Sequence, residues 1–261
     1  MEKREYLKKG ILVVSFGTSH EDTRIKTIDA IENEIAKSFP QYKMYSAYTS
    51  KMIIKKLKES GKYILNVTEA LEQMYQDGIK EVYVQPTHLI NGTENDLMLE
   101  DIQEKKHLFE KVKVGAPLLN EAEDYKALVE AVMEQEDVAP DSMIAFMGHG
   151  SSHHANSAYP ALAYVFKELG YKNVALGTVE GYPAFEEMKK ELDASGKKKV
   201  TLIPLMIVAG DHAKNDMAGD NEDSWKTKLE KDGYEVYCKF QGLGELSRIH
   251  ELLIKHIEAV M

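Results

Sequence analysis

Two patterns of apolar and polar positions alternate along the chain. Short, nearly continuous apolar runs at 11–16, 80–85, 142–147 and 199–205 read as buried strands, and the stretches 42–48, 112–115, 173–178 and 234–240 read as further strands. Between them, apolar residues recur three and four apart, the spacing of an amphipathic helix. Ile25, Ile28, Ile31 and Ile35 set it within 21–39, and 51–59, 67–76, 93–109, 121–136, 155–169, 184–193, about 212–231 and 245–260 follow. Gly61 separates the second helix from the third, and Pro86 is expected to stop the strand before it. Strands alternating with helices predict parallel sheets joined by right-handed crossovers.

The second half repeats the first in residues as well as in element order. SFGTSH at 15–20 superposes on GHGSSH at 148–153, which sets Phe16 opposite His149. VQPTHLINGTE, ending at Glu94, lies over IPLMIVAGDH, ending at His212, proline on proline and glycine on glycine. MYSAYTS lies over LGTVEGY so that Tyr48 matches Glu180. The predicted fold is α/β, with two similar lobes that each hold a four-stranded parallel sheet flanked by helices. The boundary is expected near 136–140, where a charged stretch and Pro140 precede the strand leading to His149. That divides the chain into an N-terminal α/β lobe, 1–137, and a C-terminal α/β lobe, 138–261, carrying the histidines.

Composition narrows the function. With 261 residues, the chain can bury a core for one large domain or two small ones. No stretch is apolar for long enough to cross a bilayer, and residues 1–10 are charged without a small-residue cleavage site, so a cytoplasmic protein is expected. A net charge of −10 argues against nucleic acid and anionic membranes as partners. It leaves room for an anionic small molecule held by local N–H groups and a few cations. The single cysteine, Cys238, excludes an internal disulfide and a thiolate metal cluster, and its place in the alternating EVYCKF marks a strand residue rather than a nucleophile. A homo-oligomer is compatible with the sequence and not required by it.

Two strand ends carry chemistry. FMGHGSSHH at 146–154 breaks an apolar run into a glycine-flanked histidine and small hydroxyl residues, and LIPLMIVAGDHAKND at 202–216 ends another in a glycine followed by His212. Ligands collect at the carboxyl ends of strands in open α/β sheets, so both loops are expected to face one cleft. With Glu180 past the strand at 173–178, the second half offers two imidazoles and a carboxylate. That donor set suits cobalt, nickel, iron or zinc, and the lack of thiolate leaves binding loose enough for release. Each histidine taken singly reads more readily as a hydrogen-bonded loop residue, and the two histidines with the glutamate bring the two readings level. His153 and His154 fall at a helix start, where exposure is the default. His88, ahead of Asn91 and Gly92, suits a cleft wall or a structural loop. His107, His250 and His256 fall on helices as surface or packing residues. DMAGDNED at 216–223 lacks EF-hand spacing and reads as a solvated helix face.

In these residues the chain resembles the anaerobic cobalt chelatases, the sirohydrochlorin cobaltochelatases, within the wider class II tetrapyrrole chelatases. SFGTSHEDTR, MGHGSSHHAN, GTVEGYP and PLMIVAGDHAKNDMAGDNEDSW carry the resemblance, which spans nearly the whole chain. It implies a chelatase-like internal duplication and a lyase that inserts Co2+ into sirohydrochlorin or precorrin-2 in anaerobic cobalamin biosynthesis. Ni2+, Fe2+ or Zn2+ would substitute in vitro, and no organic cofactor is expected. The resemblance assigns metal binding to His149, Glu180 and His212, and brings Glu94 and His88 of the first-half loop into the site. Insertion must remove two pyrrole protons, which neutral imidazole accepts near neutral pH. His149 and His212 are therefore expected to deliver metal and take protons, with Glu94 relaying protons or orienting metal-bound water. Substrate carboxylates are expected on the loops of Ser15, Gly17, Thr18 and Ser19 and of Gly150, Ser151 and Ser152, with Arg24 adding a bidentate contact. A bilobal carrier that holds a metal or tetrapyrrole without chemistry is the competing reading; a chelatase for nickel or iron is the narrower one.

Overall fold

A computed structural model describes residues 8–136 and 139–261. The chain forms two compact units: the described residues up to Asn120 together with Ser247–Met261, and Glu121–Leu246. In the first, β1 (Lys9–Ser15), β2 (Lys43–Tyr48), β3 (Glu81–Pro86) and β4 (Lys111–Val114) make a parallel sheet in the order β2-β1-β3-β4. In the second, β5 (Ser142–Gly148), β6 (Val174–Thr178), β7 (Lys199–Leu205) and β8 (Glu235–Cys238) repeat it as β6-β5-β7-β8, again parallel. The two four-stranded parallel sheets expected from the repeat are present.

The central strands are apolar on both faces because helices cover both faces, as parallel sheets require. Ile11, Leu12, Val13 and Val14 are all fully buried. Leu12 and Val14 meet α4 (Val67–Gln76) and α5 (Thr93–Lys105) through Leu71, Met74, Met98 and Ile102. In the second unit Ala145, Met147, Val200 and Leu202 meet α8 (Phe185–Ser195) and α9 (Trp225–Lys231) through Met188, Leu192, Trp225 and Leu229. α6 (Ala122–Met133) packs on α7 (Ala158–Glu168). Cys238 sits half-buried in β8, where burial pushes its thiol above the usual range. Among the described residues no helix is long and apolar enough to cross a membrane.

Four expectations change. The division at 137/138 falls at Asp137 and Val138, which lie outside the described residues, and the compact units do not follow it: α6 belongs with the second unit and the last helix with the first. That helix, α10 (Ser247–Glu258), buries Ile249, Leu253 and Ile257, an i, i+4 stripe, and packs against β3 and α2 (Ile28–Ser38). The stripe is visible in sequence, but the surface it covers is not. The segment 21–39 is two helices, α1 (Glu21–Lys26) and α2, broken at Thr27, whose hydroxyl donates to the Thr23 carbonyl. Ile25 is consequently left exposed. The segment 212–231 is a π-helical turn, Ala213–Met217, separated from α9 by a loop whose last residue, Ser224, caps α9 by accepting from the Thr227 amide.

The fourth change is in register. Ser15 pairs with Tyr48 across β1 and β2, and Gly148 pairs with Thr178 across β5 and β6. With Ser15 matched to Gly148, Tyr48 therefore corresponds to Thr178, and Glu180 corresponds to Ser50. The superposition of MYSAYTS on LGTVEGY is therefore two residues out of register.

Candidate metal centre

The second unit assembles the centre from the loops after three adjacent strands. Beyond β5 the chain turns at Gly150, whose φ is +81°, and a Cβ there would lie 2.5 Å from the Gly181 nitrogen, so only glycine fits. The amides of Val179 and Glu180 donate to the carbonyls of Gly148 and His149, continuing the ladder past β6 and fixing Glu180 beside His149. Asn156 clamps the two loops: its Oδ1 accepts from the Ser151 amide and its Nδ2 donates to the Tyr182 carbonyl. Tyr159, buried on α7, packs its ring against Gly148, where a Cβ would lie 2.4 Å from it, and burial raises its pKa above the usual phenol value.

His149, Glu180 and His212 come together here, each offering one ligand atom, all within 4.8 Å of one another. The two imidazole rings stand edge to face with centroids 4.7 Å apart. Nδ1 of His149 lies 2.9 Å from the Gly150 carbonyl oxygen, which can only accept, so the proton sits on Nδ1 and the lone pair lies on Nε2. His212 precedes the π-helical turn, and its Nδ1 lies 2.7 Å from Asp216 Oδ2, which again leaves Nε2 as the donor. Both histidines are half-buried and Glu180 is exposed, so an ion can enter and leave without unfolding the loops. Two imidazoles and one carboxylate make a borderline donor set for a divalent first-row ion.

The corresponding loops of the first unit share the backbone plan. Gly17 has φ +100°, and a Cβ there would lie 2.3 Å from the Tyr48 ring. The Thr49 and Ser50 amides donate to the carbonyls of Ser15 and Phe16. The His20 amide donates to Thr18 Oγ1 as the His153 amide donates to Ser151 Oγ. Glu94, in the first turn of α5, has Oε2 buried without a hydrogen-bond partner among the described residues. His88 is buried, and neither ring nitrogen makes a hydrogen bond there. Burial lowers its pKa to about 4, a shift that the nearby Asn95 opposes without closing a hydrogen bond. This imidazole is neutral at physiological pH.

The residues expected to hold substrate carboxylates are more committed than the sequence suggested. Ser15 is buried with its Oγ accepting from Thr87 Oγ1, Thr18 Oγ1 accepts from the His20 amide, and the Ser151 N–H donates to Asn156. These groups are engaged within the loops, whereas Ser19 Oγ is buried without a hydrogen-bond partner among the described residues. Arg24, Thr18 and Ser19 do line a pocket of about 260 Å³ with Lys62 and Tyr63, where the Arg24 guanidinium lies 3.5 Å from Asp29 and Lys62 pairs with Glu21. Ser152 and His154 are exposed, and His153 Nδ1 accepts from the Ala155 amide. Sequence reading missed Asn156, Tyr159 and Asp216. Asp216 was hidden in an acidic run that reads as solvated surface, yet it lies four residues from His212.

A family model described as cobalt chelatase (CbiK) matches residues 9–261. A curated relative named sirohydrochlorin cobaltochelatase, from Salmonella typhimurium, is 38% identical over 257 residues, covering 98% of this chain and 97% of its own. Another, sirohydrochlorin cobaltochelatase CbiKC of Nitratidesulfovibrio vulgaris, is 31% identical and covers 97% of this chain and 91% of its own. Among solved structures, SirB from Bacillus subtilis with Fe3+ superposes with a TM-score of 0.68 at 16% identity, covering 97% of this chain and 95% of its own, a likeness of fold.

Proposed function

The chain belongs to the cobalt chelatase (CbiK) family, and from that premise we propose that it inserts Co2+ into sirohydrochlorin, or its reduced precursor precorrin-2, on the anaerobic route to cobalamin. The observation that carries the reading is the convergence of His149, Glu180 and His212, with Nδ1 of each imidazole engaged by an oxygen so that Nε2 is the ligand atom each ring offers. Co2+ is the metal substrate; Ni2+, Fe2+ and Zn2+ suit the same donors and are expected to compete in vitro.

Insertion exchanges protein and water ligands for pyrrole nitrogens and removes two pyrrole protons. In this proposal Glu180 supplies the anionic ligand, and His149 and His212 hold the ion until each Nε2, freed by metal transfer, accepts a proton. Glu94 of the first unit enters as a proton-handling residue. Glu94 has an unsatisfied buried oxygen suited to accepting a proton, whereas burial opposes protonation of His88, which is proposed to act as a neutral hydrogen-bonding ring. Arg24 and Lys62 are proposed to take a carboxylate arm of the tetrapyrrole in the pocket they line, exchanging their present carboxylate partners for it.

Turnover separates this from a carrier. With Co2+ and sirohydrochlorin in large excess over protein, a chelatase converts the excess, followed by the change in tetrapyrrole absorption. A burst that stops at one equivalent would replace the enzyme with a carrier, and faster insertion of Ni2+ or Fe2+ in competition would reassign the metal.

A further inference from the structure

We infer that Asp216 is the positioning residue for His212, holding that imidazole by its Nδ1 proton so that Nε2 meets the metal. This rests on the reading of His149, Glu180 and His212 as the Co2+ ligands. Asp216 Oδ2 lies 2.7 Å from His212 Nδ1, the short distance of a well-formed hydrogen bond to a carboxylate. The two residues span the π-helical turn, with His212 preceding it and Asp216 within it. Such single wide turns recur at functional sites because they rotate side chains out of the α-helical phase. Here the following turn is held by Ala213 and Met217, both fully buried in the core of the second unit, so the backbone bearing Asp216 is anchored on both sides.

The two imidazoles are secured differently. His149 leans on the carbonyl of Gly150, a backbone acceptor that no side-chain substitution removes. His212 leans on a side chain, so its orientation and tautomer depend on residue 216. A carboxylate behind a metal-bound imidazole also makes the ring a stronger donor, and loss of such a partner costs roughly 10–100-fold in metal affinity. Asp216 touches neither the metal nor the tetrapyrrole in this account; it acts through His212.

The test uses the full chain and Co2+ alone, before any tetrapyrrole is added. Co2+ affinity is measured by calorimetric titration and the ligand field by the visible spectrum of bound Co2+, for Asp216→Ala, Asp216→Asn and His212→Ala, with thermal unfolding as the control for folding. Asp216→Ala is expected to weaken Co2+ binding about 10–100-fold and shift the Co2+ spectrum. Asp216→Asn, whose amide oxygen can still accept the Nδ1 proton, is expected to recover part of that loss, and it carries the test alone should the alanine variant fail to fold. Co2+ affinity and spectrum equal to wild type in a folded Asp216→Ala, alongside loss of binding in His212→Ala, would overturn the positioning role and leave the ligand assignment standing. Wild-type binding in His212→Ala overturns both.

Discussion

At the end of β1 the amide of Ser50 reaches the carbonyl of Phe16; at the end of β5 the amide of Glu180 reaches the carbonyl of His149. Farther along, the Asp96 amide bonds to Gly92 and the Lys214 amide to Gly210, so Glu94 and His212 stand at matching steps of the chain. The two units therefore hold the same three positions on the same backbone frame. The second fills them with His149, Glu180 and His212, and the first with Phe16, Ser50 and Glu94. In the first unit these positions serve other ends: Phe16 is 40% exposed, and Ser50 is buried and caps α3 (Lys51–Glu59) by accepting from the Ile53 amide. The duplicated frame sets positions, and the side chains decide whether a metal is held there.

The largest effects should separate the two sets of positions. His149→Ala or His212→Ala is expected to reduce Co2+ affinity and insertion on the order of 100-fold or more, beyond what loss of an outer partner costs. Thermal unfolding should move little, because both residues lie past strand ends and are half-buried. Phe16→Ala should leave Co2+ affinity alone, and a loss of Co2+ binding there would collapse the distinction between the units.

The units also differ in their buried titratable groups, and the first should show it in stability against pH. Glu32 of α2 accepts from Ser46 in a largely buried setting, and burial pushes its pKa from 4.5 to about 7. A raised folded pKa gives stability that is complete below about 4.5 and lost as pH rises through about 7. His88, lowered from 6.5 to about 4, contributes stability that is complete above about 6.5 and lost as pH falls toward 4. Glu32→Gln should therefore gain up to about 3 kcal/mol relative to wild type at pH 8 and almost none at pH 4. Urea unfolding at the two pH values measures the difference; an equal change at both would place the cost of Glu32 elsewhere.

Smaller effects sharpen the roles. Glu180→Gln keeps the shape and removes the charge, so Co2+ affinity should fall about tenfold while the fold is retained, as calorimetry and circular dichroism would record. Glu94→Gln should slow insertion severalfold with Co2+ affinity unchanged, because Glu94 handles protons in this account. Weakened Co2+ binding in that variant would make it a ligand.

Legibility followed the strength of local markers. Pro86 with Gly92, and Pro204 with Gly210, fixed the alignment of the third strand ends, and the structure keeps it. MYSAYTS and LGTVEGY share no such marker, so the letters slipped by two and set Tyr48, a residue packed beneath Gly17, in the place of Ser50. His149 and His212 stand out because each follows an apolar run and a loop glycine, and only together with Glu180 do they read as a donor set. Asp216 was not, because a carboxylate that turns inward to a histidine looks in sequence like any other in an acidic run. The packing of α10 against β3 and α2 was equally hidden, since an apolar stripe states that it is covered and says nothing of what covers it.

The most direct measurement of the central claim is the Co2+ stoichiometry of the full chain, wild type and His149→Ala/His212→Ala, by calorimetric titration. One equivalent of Co2+ in the wild type and none in the double variant is the result predicted. Two equivalents in the wild type, or one equivalent surviving at unchanged affinity in the double variant, would mean that the first unit also holds metal or that the ion binds elsewhere, and would contradict the account.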